Sequence, residues 1–226
     1  MALSIKTKLA GALVALTLCV LIVGTCGFLA LRSVTQRIDD VVQSNVIPME
    51  QLRVVSEMYA VNVVDTIWKA QSNQITWTNA LKSVQEAVGN IDKGWKAYLP
   101  SVTSADEKQL SEQATALMKT GDAAVAKLIG ILKERDESAL RMFATDELYN
   151  AIDPITAKLG ELTALQLSQA RNQGIVAQST ASSASILLLV MAGSALLVAA
   201  LALAFVIGGI VRPLAGMTDA MKRLAG

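Results

Sequence analysis

Residues 186–210 read ILLLVMAGSALLVAALALAFVIGGI, and Val211 then leads into Arg212-Pro213-Leu214. The charge-free stretch is longer still, since no residue from Asn172 to Val211 carries a formal charge. A helix needs roughly 20 apolar residues to cross a bilayer. Backbone groups in hydrocarbon must be satisfied within the segment, so a single run of this length is predicted to be a transmembrane helix. It ends at a basic residue followed by proline. The rest of the chain is organised around this span.

Composition agrees. The chain has 226 residues, 53% of them hydrophobic and 17% charged, against roughly 25% charged in an ordinary soluble domain. The charges are also segregated. Residues 32–185 hold fifteen Lys/Arg against eighteen Asp/Glu, while the two flanks hold five Lys/Arg and a single acid. There is no histidine, which excludes a Ser-His-Asp triad, a His-ligated metal and a phosphoacceptor histidine in this chain. Both cysteines, Cys19 and Cys26, fall in the first apolar run and share a helix face, so the middle region has neither a disulfide framework nor a thiolate metal site. No glycine-rich phosphate loop and no basic stripe for nucleic acid is present. No cofactor, metal or catalytic residue is expected.

The first apolar run, Leu9–Leu31, is preceded by Lys6 and Lys8 and followed by Arg32. A signal peptide shares this layout, but its apolar core is about 7–15 residues and ends at a small-residue cleavage site. This run is longer and ends Gly-Phe-Leu-Ala-Leu, so it reads as an uncleaved anchor. Short basic flanks stay cytoplasmic, whereas a long intervening domain translocates largely regardless of its charge. The expected order is a cytoplasmic N-terminus at 1–8, a first span at 9–31, an external region at 32–185 and a second span at 186–210. Residues 211–226 would be cytoplasmic. In a bacterial inner membrane the 32–185 region would be periplasmic.

That region is patterned for helices. Leu31, Val34, Ile38, Val41, Asn45, Pro48, Leu52, Val55, Tyr59 and Asn62 alternate steps of three and four, the stripe of a bundle helix. Pro48 is expected to kink it, because proline removes a backbone bond and clashes with the preceding turn. The pattern breaks near Ser72–Asn73. A second stripe runs Leu81, Val84, Val88, Ile91, Trp95 and Tyr98, and Pro100 stops it. Ser104-Ala-Asp-Glu107 has the form of a capping box opening a third helix, whose stripe is Leu110, Ala114, Leu117, Gly121, Ala124, Leu128 and Ile131. A fourth helix, with Ile152, Ile155, Leu159, Leu162 and Leu165, restarts by Thr145 and passes into the second span without a further proline after Pro154. The predicted fold is all-α: a membrane-anchored up-down-up-down four-helix bundle with two transmembrane helices.

At this point the chain resembles the amino-terminal sensor half of a methyl-accepting chemotaxis protein. The stretches that carry the resemblance are YAVNVVDTIWK (59–69), the Trp95/Tyr98 pair before Pro100, and LYNAIDPITAKLGELTALQ (148–166), together with the tail IVRPLAGMTDAMKRLAG. The tail resembles the first part of a HAMP domain, with Arg212, Pro213 and Leu214 as the transmission residues. The resemblance stops at Gly226, partway through that unit. It implies a chemoreceptor that detects a small periplasmic solute and carries a signal through the second span to HAMP. A chemotaxis kinase and adaptor would be reached only through a cytoplasmic part beyond it. The alternative is the sensory half of a membrane histidine kinase or diguanylate cyclase built on the same module.

The resemblance also implies a homodimer, and Ala200, Ala204 and Gly208 in the second span have the spacing that lets membrane helices approach closely. For the ligand, Tyr59, Asn62, Asp65 and Lys69 lie near one face of the first helix, with Tyr149, Asn150 and Arg141 expected at a similar height on the fourth segment. Mixed charges suit an amino acid or organic acid, although Asp65 and Lys69 are also spaced for an ion pair along the helix. A separate periplasmic binding protein is the other partner this family uses. A second copy and membrane lipid are the remaining partners expected, and nucleic acid is not.

Overall fold

The structure, a computed structural model, describes residues 5–208. Arg212, Pro213 and Leu214, with the rest of the HAMP-like tail, lie outside the described residues. The described chain is helical almost throughout, without a strand. It divides into two compact units: residues 39–174, and the described parts of 1–38 and 175–226.

The second of these units contains the apolar stretches of α1 (Ile5–Val41) and α7 (Leu148–Val206). The chain has two helices long and apolar enough to cross a membrane, and none of their most apolar windows is buried within the protein. Hydroxyl groups here are satisfied by their own helix. Thr17 and Thr25 donate to the carbonyls of Leu13 and Leu21, and Ser185 donates to Ala181. Such back-bonding removes the cost of a hydroxyl in hydrocarbon. The two helices approach at Gly27, where an added Cβ would lie 3.8 Å from Leu188 Cδ2.

The unit at 39–174 is the four-helix bundle. Its first rod is the end of α1, a π-helical turn at Val42–Val46, α2 (Ile47–Glu57), a second π turn at Met58–Val63, and α3 (Val64–Gln71). The return helices are α4 (Trp77–Tyr98) and α5 (Ala105–Glu134), and the fourth rod is α6 (Glu137–Asp146) with the first part of α7. Turn chemistry explains the breaks. Asn73 and Arg135 take left-handed backbone conformations after α3 and α5, as residues just past a helix end commonly do. Thr76, Ser104 and Asp136 then cap the next helices, each side chain accepting from the amide three residues on. Pro100 lies in a short 3₁₀ turn at Leu99–Ser101, where the second rod stops.

Pro48 does not break the first rod. The π turn of Val42–Val46 ends just before it, which leaves Pro48 in the first turn of α2, where its missing amide costs least. The second π turn shifts the register of the buried stripe. Asn45, Pro48, Leu52, Val55 and Tyr59 are buried as the heptad predicts, but the next inward positions are Val63, Ile67 and Ala70, and Asn62 is only half-buried. A π turn holds an extra residue, so every later side chain moves round by one position.

The other rods differ from the heptad in a similar way. Ala80 and Ala87 point inward on α4, while Leu81 is half-buried and Val88 is exposed. At Gly94 the helix packs closely on α2, where an added Cβ would meet Val55 Cγ2 at 2.9 Å. On α5, Met118 and Val125 are buried, whereas Leu117 and Ala124 lie at the edge. Ile152, Ile155, Leu159 and Leu162 are buried as predicted, and Gln166 rather than Leu165 occupies the last inward position.

At Gly121 α5 packs closely on the fourth rod, because a Cβ there would run into Ile155 Cδ1. Gly121→Val overpacks this contact and is expected to cost roughly 1–3 kcal/mol. Gly130, in the same helix, has nothing within 4 Å of an added Cβ. Gly130→Ala is therefore expected to stabilise by up to about 1 kcal/mol, as glycine removal from a helix interior does. Thermal melts of the two detergent-solubilised variants, followed by far-UV circular dichroism, should move in opposite directions.

Candidate functional site

The second π turn divides the candidate residues of the first rod between two sides. Tyr59 turns into the core, where it is fully buried and its hydroxyl donates to Asp122 Oδ1 on α5 at 3.3 Å. Burial and the neighbouring carboxylate both push the Tyr59 phenol well above its ordinary range, so it stays protonated and donates to Asp122. Asn62, Asp65 and Lys69 lie outside that core, half-buried to exposed. The structure thus does not bring Tyr59 onto the same face as the other three.

Asp65 and Lys69 make the intrahelical ion pair that their spacing allows, at 2.5 Å, with each side chain about half exposed. Arg141 pairs with Glu137 within α6 at 3.2 Å, and Asn150 donates to the carbonyl of Asp146. Neither is bonded to the first rod. Tyr149 is: its hydroxyl accepts from Trp68 Nε1 at 3.2 Å, which ties the start of α7 to α3. Both rings remain partly open to solvent, Trp68 at 43% and Tyr149 at 45%. Trp68 was not singled out by the sequence reading. Its signal was available, since a tryptophan on the polar side of an amphipathic helix, three residues after Asp65, has no place in a core stripe.

These groups therefore form one exposed patch near the Ser72 turn. It contains an indole and a phenol joined by a hydrogen bond, an adjacent acid–base pair, and Asn62 one turn earlier. The patch offers stacking surface, a carboxylate, an ammonium and amide groups to a small polar solute. Further along, α2 and α7 border a shallow groove whose lining includes Arg53, Glu57, Val61, Gly160, Thr163 and Leu167. Arg53 is held there by both Glu50 and Glu57. Among the described residues no cluster suited to a metal ion is present.

The comparisons with known proteins fit this description. Residues 1–170 match the family described as Tar ligand binding domain homologue. The chain is also 29% identical over 223 residues to the methyl-accepting chemotaxis protein NahY of Pseudomonas putida, an alignment covering 98% of this chain and 41% of NahY. No solved structure matches it. A helical bundle carried on long apolar helices defines a sensor module of the chemotaxis-receptor type. The chain belongs to the Tar ligand-binding-domain homologue family. It spans less than half the length of the curated relative that it matches.

Asp122 carries the pH dependence of this region. Its carboxyl is pushed up mainly by burial and further by Asp92, with the Tyr59 hydrogen bond opposing both. A carboxyl raised in the folded state binds its proton more readily there than in the unfolded chain. Its contribution to stability consequently falls as pH rises from the ordinary aspartate value, about 4, through the raised one. Asp122→Asn should flatten the fall in melting temperature between acidic and neutral pH, while Tyr59→Phe, which removes one hydrogen bond, should lower stability by about 1 kcal/mol. Melting curves at a series of pH values check both.

Proposed function

We propose that this chain is the sensory half of a homodimeric bacterial chemoreceptor. Residues 32–185 would lie in the periplasm between spans at 9–31 and 186–210, with 1–8 and 211–226 in the cytoplasm of an inner-membrane protein. A small solute binding beside Trp68 and Tyr149 would alter how the fourth rod sits against the first, and α7 would carry that change to the HAMP-like residues Arg212, Pro213 and Leu214. The observation that carries the reading is the Trp68–Tyr149 bond, a direct and solvent-accessible link between the two rods that continue into the apolar stretches. The continuity of α7 from Leu148 to Val206 supports transmission through backbone, because the second apolar stretch offers no charge relay.

The solute class favoured is an amino acid or organic acid. Asp65 and Lys69 would exchange their mutual pair for the solute's charges, with Asn62 as a further polar partner; Asn150 instead borders the groove beside α5. Tyr59 and Arg141 contribute less directly, Tyr59 through the core and Arg141 from the neighbouring α6. The name of NahY favours a chemotaxis output, through a kinase and adaptor bound to a further cytoplasmic part, over a histidine kinase or cyclase. The receptor itself needs no catalytic chemistry.

The solute reading is tested by screening amino acids, organic acids and amines for a rise in the melting temperature of the solubilised chain. A compound in about 100-fold excess over its dissociation constant contributes roughly 2.7 kcal/mol. The rise should be lost in Trp68→Ala and in Asp65→Ala while both variants stay folded. Persistence in both would move the site elsewhere. Uniform silence across the screen would point to a periplasmic binding protein as the partner.

Dimerisation rests on a separate observation: Ala200, Ala204 and Gly208 are exposed at one-turn spacing on the second apolar stretch. Single cysteines scanned over 186–206 in a Cys19→Ala/Cys26→Ala background should crosslink in membranes with helical period, strongest near 200 and 204. A flat profile from intact protein would contradict a dimer packed along this helix.

A further inference from the structure

The two ends of the bundle are held differently. Where the chain enters and leaves it, hydrogen bonds among the buried Asn45, Tyr98, Glu107 and Gln166 join all four rods. Near the Ser72 turn the fourth rod is itself interrupted. α6 stops at Asp146, α7 starts at Leu148, and Glu147 between them has φ −116°, against about −63° in a helix. The Asn150 side chain donates to the Asp146 carbonyl at 2.8 Å across this break. Tyr149, the second residue of α7, therefore takes its direction from contacts made beyond α6.

Three consecutive residues at the break point three ways. Glu147 Oε1 accepts from Lys127 Nζ of α5 at 2.5 Å. Leu148 is buried in the core. The Tyr149 hydroxyl accepts from Trp68 Nε1 of α3 at 3.2 Å. Residues two apart on a helix point about 200° away from each other, so the Lys127 and Trp68 contacts lie on opposite sides of the rod. Apolar contact is non-directional, so Leu148 fixes how deep this turn sits but not how it is rotated. A rotation that carries Glu147 away from Lys127 also carries Tyr149 away from Trp68.

The Lys127–Glu147 pair differs in kind from its fellows. Every other ion pair among the described residues joins positions three or four apart within one helix, whereas this one joins α5 to the fourth rod. Pairs within a helix support that helix; a pair between rods orients them. The groove around it is lined by small and polar side chains, Thr120, Ala123, Ala124 and Ala151 among them, so no bulky apolar contact holds this side of the break.

We propose that Lys127 and Glu147 are positioning residues for the solute site: their ion pair holds the first turn of α7 in the rotation that sets the Tyr149 phenol against Trp68. An indole nitrogen can only donate, so the Tyr149 oxygen accepts from it and the phenol hydrogen points away, towards water or a solute. A released Tyr149 ring would meet a solute in many orientations instead of one. This role rests on the reading of the Trp68–Tyr149 patch as the solute site, while the bond itself can be followed with no solute present, so the two can fail separately.

The test uses the full solubilised chain labelled with 5-fluorotryptophan and read by fluorine NMR. The chain has three tryptophans, and Trp68→Phe assigns the resonance of interest. Tyr149→Phe removes the acceptor and marks where an unbonded Trp68 resonates. Lys127→Met and Glu147→Ala should each move Trp68 part of the way to that position. The bonded-to-unbonded ratio should fall about two- to fivefold, which is what loss of a half-exposed ion pair amounts to. The buried Trp95 should stay in place. Exchanging the charges, Lys127→Glu with Glu147→Lys, restores a pair and should bring Trp68 back. Lys158→Met, which removes an ion pair within α7, should leave Trp68 unmoved. Salt at about 1 M screens the pair and should shift Trp68 in the unaltered chain but not in Lys127→Met. Trp68 unmoved in both folded single variants would overturn the proposal, as would a charge exchange that fails to bring it back, the result expected of a general loss of packing. An unmoved Trp68 in Tyr149→Phe also overturns it, because there is then no bond to position. If either single variant does not fold, the salt series on the unaltered chain decides: no shift of Trp68 overturns the role.

Discussion

Backbone N–H and C=O groups in hydrocarbon have no water to bond, so a chain that enters a bilayer must stay helical until it leaves. That constraint reaches beyond the apolar stretches in this protein. α1 and α7 do not stop where hydrophobicity stops; α7 continues as one helix from the bundle to Val206. The first and fourth rods of the bundle are therefore extensions of the apolar helices, and only the connections at the Ser72, Pro100 and Asp136 turns are local choices. Hydroxyl groups along the apolar stretches bond to their own helix, in keeping with the same constraint.

Within the bundle, polar groups are placed at two levels with different consequences. Near the Ser72 turn they are exposed and loosely paired: Asp65 with Lys69, Arg141 with Glu137, and Trp68 with Tyr149. Exposed ion pairs of this kind contribute little to stability, typically well under about 1 kcal/mol, so they are cheap to rearrange around a solute. At the other end the polar groups are buried and bonded across all four rods. Rearrangement there means breaking directional bonds without water to replace them.

Much of this was legible in the residues. Two apolar runs with basic flanks, four stripes and three breaks already specified an all-α bundle between spans, and Ser104 caps α5 as its spacing announces, although the Glu107 carboxylate turns to Tyr98 and Gln166 instead of completing the capping box. The site was legible only in part. Tyr59 and Asn62 were read onto one face, but the π turn between them adds a residue and separates them. Trp68 lies off the buried stripe, and only its bond to Tyr149 on another rod marks it as part of the site.

The sequence by itself determined helicity, the order and direction of the rods, and the two stretches that need an apolar environment. Those properties follow from local periodicity and from the hydration cost of individual residues, which are written in the chain. Only the tertiary structure decided which of two adjacent helical faces turns inward. On α4 the predicted Val84, Ile91, Trp95 and Tyr98 turn inward, joined by Ala80 and Ala87 in place of Leu81 and Val88; on the first rod the face changes at Met58–Val63 through a π turn. Only the tertiary structure, too, brought Asn45, Tyr98, Glu107 and Gln166 together, since they lie on four different rods. Hydrogen bonds between rods depend on where four helices meet, and no pattern within one helix contains that information.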